Sequence, residues 1–162
     1  MRSVISKILQ GFSTLSHNYL TVLANSSSDF FLSRLELLGL DSCNISEFPS
    51  FLKNQQELEV LSLSMNKISG DLPRWLLNVS TETMLFVNLS WNSLTGFNKS
   101  MISLPWVNLK VLDMSFNMLQ GSLPLPSNST LFHSIANNTL RVRWNSTQIL
   151  QSGGSLNVGF IQ

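Results

Sequence analysis

Apolar residues recur along this chain with a spacing that fits neither an amphipathic helix nor a single strand. The clearest unit occupies residues 109–124 and reads L-K-V-L-D-M-S-F-N-M-L-Q-G-S-L-P. Leu109, Leu112 and Met114 precede Asn117 and Leu119 follows it. Gly121 and Pro124 close the unit. The same order of residue types returns over residues 58–73, where Asn66 takes the asparagine position. The chain is therefore built from an internal repeat.

Six copies of the unit can be aligned, and the first and last of them are the weakest. Their asparagine positions are 18, 43, 66, 92, 117 and 138, which are 25, 23, 26, 25 and 21 residues apart. This period and leucine order are typical of a leucine-rich repeat, in which a short strand leads into a turn and an apolar return segment. One unit cannot bury its leucines alone, so stacked units must share a core.

The predicted fold is an α/β leucine-rich-repeat solenoid of about six repeats. A parallel β-sheet forms its concave face, and the return segments are short 3₁₀ helices or irregular. We expect a weak first repeat and connection over residues 1–34, the solenoid over residues 35–140, and a flexible non-repeat tail over residues 141–162.

One polar side chain in each repeat is expected to point inward. The tight turn after each strand leaves backbone N–H and C=O groups without partners in the sheet, and a carboxamide can supply both donors and an acceptor. A thiol can replace it only weakly. The predicted ladder consists of Asn18, Cys43, Asn66, Asn92, Asn117 and Asn138.

The strand residues between the inward leucines should face the concave surface. Trp91 and Phe116 occupy equivalent positions in successive repeats. Exposed aromatic side chains often anchor protein interfaces, although aromatics on strands also pack across neighbouring strands without binding anything. We predict a contact surface for a peptide or protein partner that consists of Ser62, Met65, Asn88, Trp91, Asp113 and Phe116.

Charge and candidate chemistry argue against other function classes. Ten Lys or Arg and nine Asp or Glu are scattered singly, without the basic stripe that would follow a nucleic-acid backbone. One Cys and two distant His lack metal-ligand spacing, and no catalytic constellation or phosphate-binding glycine loop is present. We therefore expect no enzymatic activity, no metal, no cofactor and no nucleic-acid partner.

Asn-x-Ser/Thr sequons, the acceptors of N-linked glycans in secreted proteins, are more frequent than chance predicts, although the asparagine-rich repeat itself raises their number. A glycan on Asn88 would stand on the predicted contact surface. No signal peptide is visible in residues 1–23, and no apolar run is long enough to span a membrane. The candidate glycosylation sites are Asn25, Asn44, Asn78, Asn88, Asn98, Asn128, Asn137 and Asn145.

Several sequence segments carry residues that the general leucine-rich-repeat pattern does not require. They read C-N-I-S-E-F-P-S-F-L-K-N at residues 43–54, L-T-G-F-N-K-S at 94–100, L-P-W-V-N-L-K-V-L-D-M at 104–114 and L-Q-G-S-L-P-L-P-S-N-S-T at 119–130. These segments resemble the sequences of plant receptor-like proteins, which are cell-surface leucine-rich-repeat proteins of immunity and development. The resemblance covers about residues 10–140, and the family pattern stops where Arg141 and Trp144 follow.

The resemblance implies a ligand-recognition fragment on the extracellular side of the plasma membrane, acting in defence or developmental signalling without a kinase of its own. It also implies a peptide or protein ligand, and a co-receptor kinase that would contact C-terminal repeats missing from this chain. Two alternatives are a soluble secreted inhibitor similar to polygalacturonase-inhibiting leucine-rich-repeat proteins, and a non-functional truncated gene product. The flanking sequence would separate the receptor from the inhibitor.

Overall fold

The computed structural model describes residues 35–97, 102–121 and 124–139. The weak first repeat with Asn18 and the tail over residues 141–162 lie outside the described residues. The same is true of the sequons at Asn25, Asn98 and Asn145.

The described residues form short strands joined by longer turns and two 3₁₀ helices. The 3₁₀ helices are Ser50–Asn54 and Leu76–Asn78. The strands are β1 (Leu37–Gly39), β2 (Val60–Ser62), β3 (Ser69–Asp71), β4 (Phe86–Asn88), β5 (Ser93–Gly96), β6 (Val111–Asp113) and β7 (Phe132–Ser134).

The main sheet contains one strand from each of five successive repeats. Its order is β1-β2-β4-β6-β7, and every neighbouring pair is parallel. The middle residue of each strand pairs with the middle residue of the next, as in Leu61 with Val87 and Val87 with Leu112. These middle side chains are buried in the shared core. The predicted leucine-rich-repeat solenoid with a parallel sheet is thus confirmed.

A proline precedes each of the two 3₁₀ helices of the return side. The amide of Leu52 donates to the carbonyl of Pro49 at 3.1 Å, and the amide of Leu76 donates to the carbonyl of Pro73 at 3.0 Å. Proline suits this place because its ring fixes φ near the value that such a turn requires. The turns carry Leu52, Leu76 and Leu77 into the core.

A second, two-stranded parallel sheet pairs β3 with β5, and the sequence pattern did not predict it. The pairing shifts register between Gly70 and Asp71, where Gly70 has a φ of +83°. Glycine reaches that angle without steric cost, which lets the strand bulge. The amide of Leu72 then donates to the carbonyl of Gly96 at 2.9 Å and ties consecutive return segments together.

The asparagine ladder joins each repeat to the one before it. Asn117 accepts from the amide of Leu94 at 2.9 Å, and its NH₂ group donates to the carbonyls of Leu89, Met114 and Ser115 at 2.9, 3.2 and 3.2 Å. Asn66, Asn92 and Asn138 make the corresponding bonds in their own repeats. Each carboxamide therefore satisfies groups of its own turn and of the preceding repeat at once.

Cys43 occupies the ladder position of the first described repeat. Its thiol donates to the carbonyl of Asp41 at 3.4 Å, and its own amide donates to the side chain of Asn66 at 3.0 Å. The thiol thus contacts its own turn while the next asparagine provides the link between repeats.

Replacing Asn117 with alanine should lower the free energy of unfolding by about 3 kcal/mol, because several buried backbone groups would lose their partner at once. The midpoint of urea unfolding measures the change. Asn108→Ala is the matched control, since Asn108 is exposed and donates a single bond to the carbonyl of Glu82. Equal losses in the two variants would contradict a special role for the ladder.

His133 stands where the other repeats of the main sheet place an apolar core residue. It pairs in register with Leu112 and is buried. Burial lowers the pKa of its imidazole from 6.5 to about 4, against the opposing attraction of the Asp113 carboxylate. The imidazole is therefore neutral in the folded protein over most of the physiological range.

This burial makes stability depend on pH. Between its folded pKa of about 4 and its unfolded value of 6.5, His133 binds more protons in the unfolded state, so stability falls as the pH drops through this window. His133→Leu should remove the part of the pH dependence that comes from this imidazole, which is on the order of 3 kcal/mol at most in the free energy of unfolding. Urea midpoints of the two proteins at about pH 7 and about pH 4.5 measure it. Parallel pH profiles would show that His133 is not the titrating group.

Candidate functional site

The residue immediately before each ladder position has left-handed backbone geometry. Ser42, Met65, Trp91, Phe116 and Asn137 have φ between 53° and 57°. The amides of the first four continue the pairing beyond the strands, and the amide of Trp91 donates to the carbonyl of Ser115 at 3.0 Å. Because the ladder fixes these turns in every repeat, their side chains form a row along the open face of the main sheet, the face opposite the leucine core.

Trp91 and Phe116 are stacked within this row. Their ring centroids are 3.9 Å apart, and the ring planes differ by 10°. The side chains remain 54% and 38% exposed, and Met65 in the adjacent repeat is 59% exposed. These three residues are the large apolar side chains of the row, and the core does not cover them.

Polar side chains lie beside the row at the ends of β4 and β6. Asn88 and Asp113 pair in register, and both are partly exposed. The Oδ1 atom of Asp113 accepts from the amide of Ser115 at 2.9 Å and from its hydroxyl at 2.7 Å. Asn88 holds Ser90 in the same way, at 3.0 and 2.8 Å. Each side chain thus closes the turn that presents the aromatic ring of its repeat.

Ser62 differs from the other members of the predicted contact surface. It is only 2% exposed, and its hydroxyl donates to the carboxylate of Asp41. The same carboxylate accepts from the amide and the hydroxyl of Ser64, both at 2.7 Å. Ser62 therefore supports the turn and presents no side chain to a partner. Asp41 was not selected from the sequence, although its place after β1 was the available signal.

A second row of charged and apolar residues precedes the strands of the main sheet. The amide of Glu59 donates to the carbonyl of Glu36, and the amide of Lys110 donates to that of Leu85, both at 2.8 Å. Glu36 and Glu59 are exposed, and Lys110 is partly exposed. Two acids and one base therefore stand at the beginning of the strands of the main sheet.

The described sequons occupy different sides of the solenoid. Asn88 and Asn137 belong to the open face, whereas Asn78 ends the second 3₁₀ helix on the return side. Asn44, Asn78, Asn128 and Asn137 are exposed, and Asn88 is partly exposed. The turn bonds of Asn88 use its Oδ1 atom, so its side-chain nitrogen could carry a glycan without breaking them.

Metal-ligating side chains are not clustered in the described part of the chain. There, no three His, Cys, Asp or Glu side chains are close enough to hold a metal ion. Burial, together with the nearby Asp41 carboxylate, raises the pKa of the Cys43 thiol, which disfavours the reactive thiolate. Among the same residues, no helix has the length and apolar character needed to cross a lipid bilayer.

Comparison with known proteins agrees with the repeat architecture. The family model described as Leucine Rich Repeat matches residues 57–79 and 108–129. The chain is 46% identical to Receptor-like protein 7 of Arabidopsis thaliana over 114 residues, which cover 70% of this chain and 11% of that protein. It is 40% identical to Receptor like protein 22 of the same plant over 126 residues, 77% of this chain and 16% of that protein.

A third relative, Receptor-like protein 47 of Arabidopsis thaliana, is 45% identical over 116 residues, which are 68% of this chain and 14% of that protein. The chain thus spans between 11% and 16% of the length of these three relatives. The similarity to each of the three covers about two thirds of this chain or more.

The stack itself can be measured by a double-mutant cycle on Trp91→Ala and Phe116→Ala. We expect the two substitutions to be coupled by about 0.5–1.5 kcal/mol in the free energy of unfolding, as stacked aromatic pairs usually are. Urea unfolding of the wild type, both single variants and the double variant gives the coupling. Strictly additive losses would mean that the two rings do not interact in solution.

Proposed function

Because this chain belongs to the leucine-rich-repeat receptor-like proteins of plants, we propose that it is the ligand-recognition part of a cell-surface receptor. The ligand is a peptide or protein that binds to the open face of the main sheet. The stacked and half-exposed pair of Trp91 and Phe116 is the observation that carries this proposal.

Physical considerations support this choice of surface. Large aromatic side chains that lose their exposed area on binding provide the main energy of many protein interfaces. Trp91 and Phe116 are also already ordered by their mutual stacking and by the turns below them, so little side-chain entropy would be lost on binding. Nothing in the leucine core requires large side chains at these positions, since the equivalent residue of the first described repeat is Ser42.

The proposed role is one of binding, and signalling would pass to other chains. The protein would act in defence or development on the extracellular side of the plasma membrane, as a glycoprotein without a kinase of its own. A co-receptor kinase would then contact repeats other than those described, which leaves the open face of these repeats to the ligand.

The proposal can be tested by selecting peptides from a displayed random library on the whole 162-residue chain. Peptides that bind the wild type should bind the double variant Trp91→Ala/Phe116→Ala at least about tenfold more weakly, since interface aromatics commonly contribute more than 1.4 kcal/mol each. Isothermal titration calorimetry on individual synthetic peptides gives the dissociation constants.

Ile102→Ala is the matched control, because Ile102 is 81% exposed and lies in the return segment that joins β5 to β6. It removes an exposed apolar side chain from another surface. Unchanged peptide affinity in the double variant, or an equal loss in the control, would contradict binding at the open face.

A further inference from the structure

The carboxylate of Asp113 is not required by the turn that it closes. The turn uses one acceptor atom, Oδ1, for the amide and the hydroxyl of Ser115. In the adjacent strand the uncharged Asn88 makes the same two bonds to Ser90, at distances within 0.1 Å of those at Asp113. The negative charge at Asp113 is thus additional to what this turn needs.

That charge lies close to the aromatic stack. Asp113 ends β6, three residues before Phe116, and pairs in register with Asn88, three residues before Trp91. Since paired strands are about 4.8 Å apart, the carboxylate and both rings belong to one small region of the open face. A short peptide segment that lies on the two rings would therefore also pass the carboxylate.

Most of the other charged residues at the ends of the main-sheet strands have the same sign. Asp41 follows β1, and the exposed Glu36 and Glu59 precede β1 and β2, whereas the base Lys110 precedes β6. The whole chain is nearly balanced, with ten Lys or Arg against nine Asp or Glu. The remaining described bases, Lys53, Lys67 and Arg74, belong to the return segments.

A cation fits this combination better than any other side chain. Ammonium and guanidinium groups are attracted to the faces of aromatic rings, and guanidinium also pairs with carboxylates in a fixed planar geometry. The return side of this chain already contains one such contact, with the Nζ atom of Lys53 5.3 Å from the ring centroid of Trp75.

We propose that the open face binds a basic peptide segment, whose arginine or lysine side chains pack against the exposed rings of Trp91 and Phe116 and pair with the carboxylate of Asp113. This inference rests on the proposed function and adds the chemical class of the ligand. The acids that border the face would increase the rate of association with such a segment and disfavour acidic ones.

Three pools of synthetic random peptides provide the probe, one basic, one neutral and one acidic, matched in length and in apolar and aromatic content. Each pool is titrated against the full chain by fluorescence polarisation. We expect the basic pool to bind about tenfold more tightly than the neutral pool. The preference should weaken as salt is added, because screening reduces the interaction between exposed charges.

Asp113→Asn then tests the pairing, and Asn88 shows that an amide preserves this turn. The variant should lose most of the preference for the basic pool while its urea midpoint stays close to that of the wild type. Asp71→Asn is the matched control, because Asp71 also accepts a hydroxyl bond, from Thr95 at 2.8 Å, but lies in the second sheet. The control should keep the wild-type preference.

The outcomes separate this inference from the proposal on which it rests. Binding of the neutral or acidic pool that equals or exceeds that of the basic pool, and that still depends on Trp91, would overturn the cationic ligand and leave peptide recognition standing. A preference for basic peptides that survives Asp113→Asn would overturn the pairing with Asp113. Binding that is insensitive to Trp91→Ala in all three pools would overturn both proposals.

Discussion

The structure depends on how each asparagine side chain satisfies the backbone of two successive repeats. In the turn after every strand, carbonyl and amide groups point away from the sheet, and burying them unpaired would cost about 1–3 kcal/mol each. Asn66, Asn92, Asn117 and Asn138 supply both kinds of partner at once. The leucine columns provide most of the burial, but these directional bonds fix the register in which repeats stack.

This arrangement links the interior of the solenoid to its surface. Because each ladder side chain points inward, the residue before it takes a left-handed conformation, with φ near 55° in all five repeats. That constraint places successive side chains in a row across the open face, and it stacks Trp91 on Phe116 without any contribution from the core. A recognition surface can thus change its chemistry by substitution along the row, while the ladder and the leucines keep the fold unchanged.

The main sheet and the ladder could be predicted from the sequence because the same pattern recurs in every repeat. A weak copy of the pattern can then be aligned with the clearer copies beside it. The pairing of β3 with β5 escaped prediction, since it depends on a bulge at Gly70 and on backbone bonds between return segments. At the candidate site, the pattern placed Trp91 and Phe116 in equivalent positions but could not predict that Ser62 is buried. That burial depends on the Asp41 carboxylate from the preceding repeat, a contact that spacing alone does not encode.

Amide hydrogen exchange on the whole chain, followed by NMR, tests the central role of the ladder most directly. The amides of Ile68, Leu94 and Leu119 each donate to a ladder asparagine and should exchange only through global unfolding. The amides of Trp91 and Phe116, which the same turns hold, should share that protection. Rapid exchange of these amides in a chain that is otherwise protected would mean that the leucine core alone maintains the solenoid. The ladder would then fix neither the stacking of the repeats nor the aromatic row.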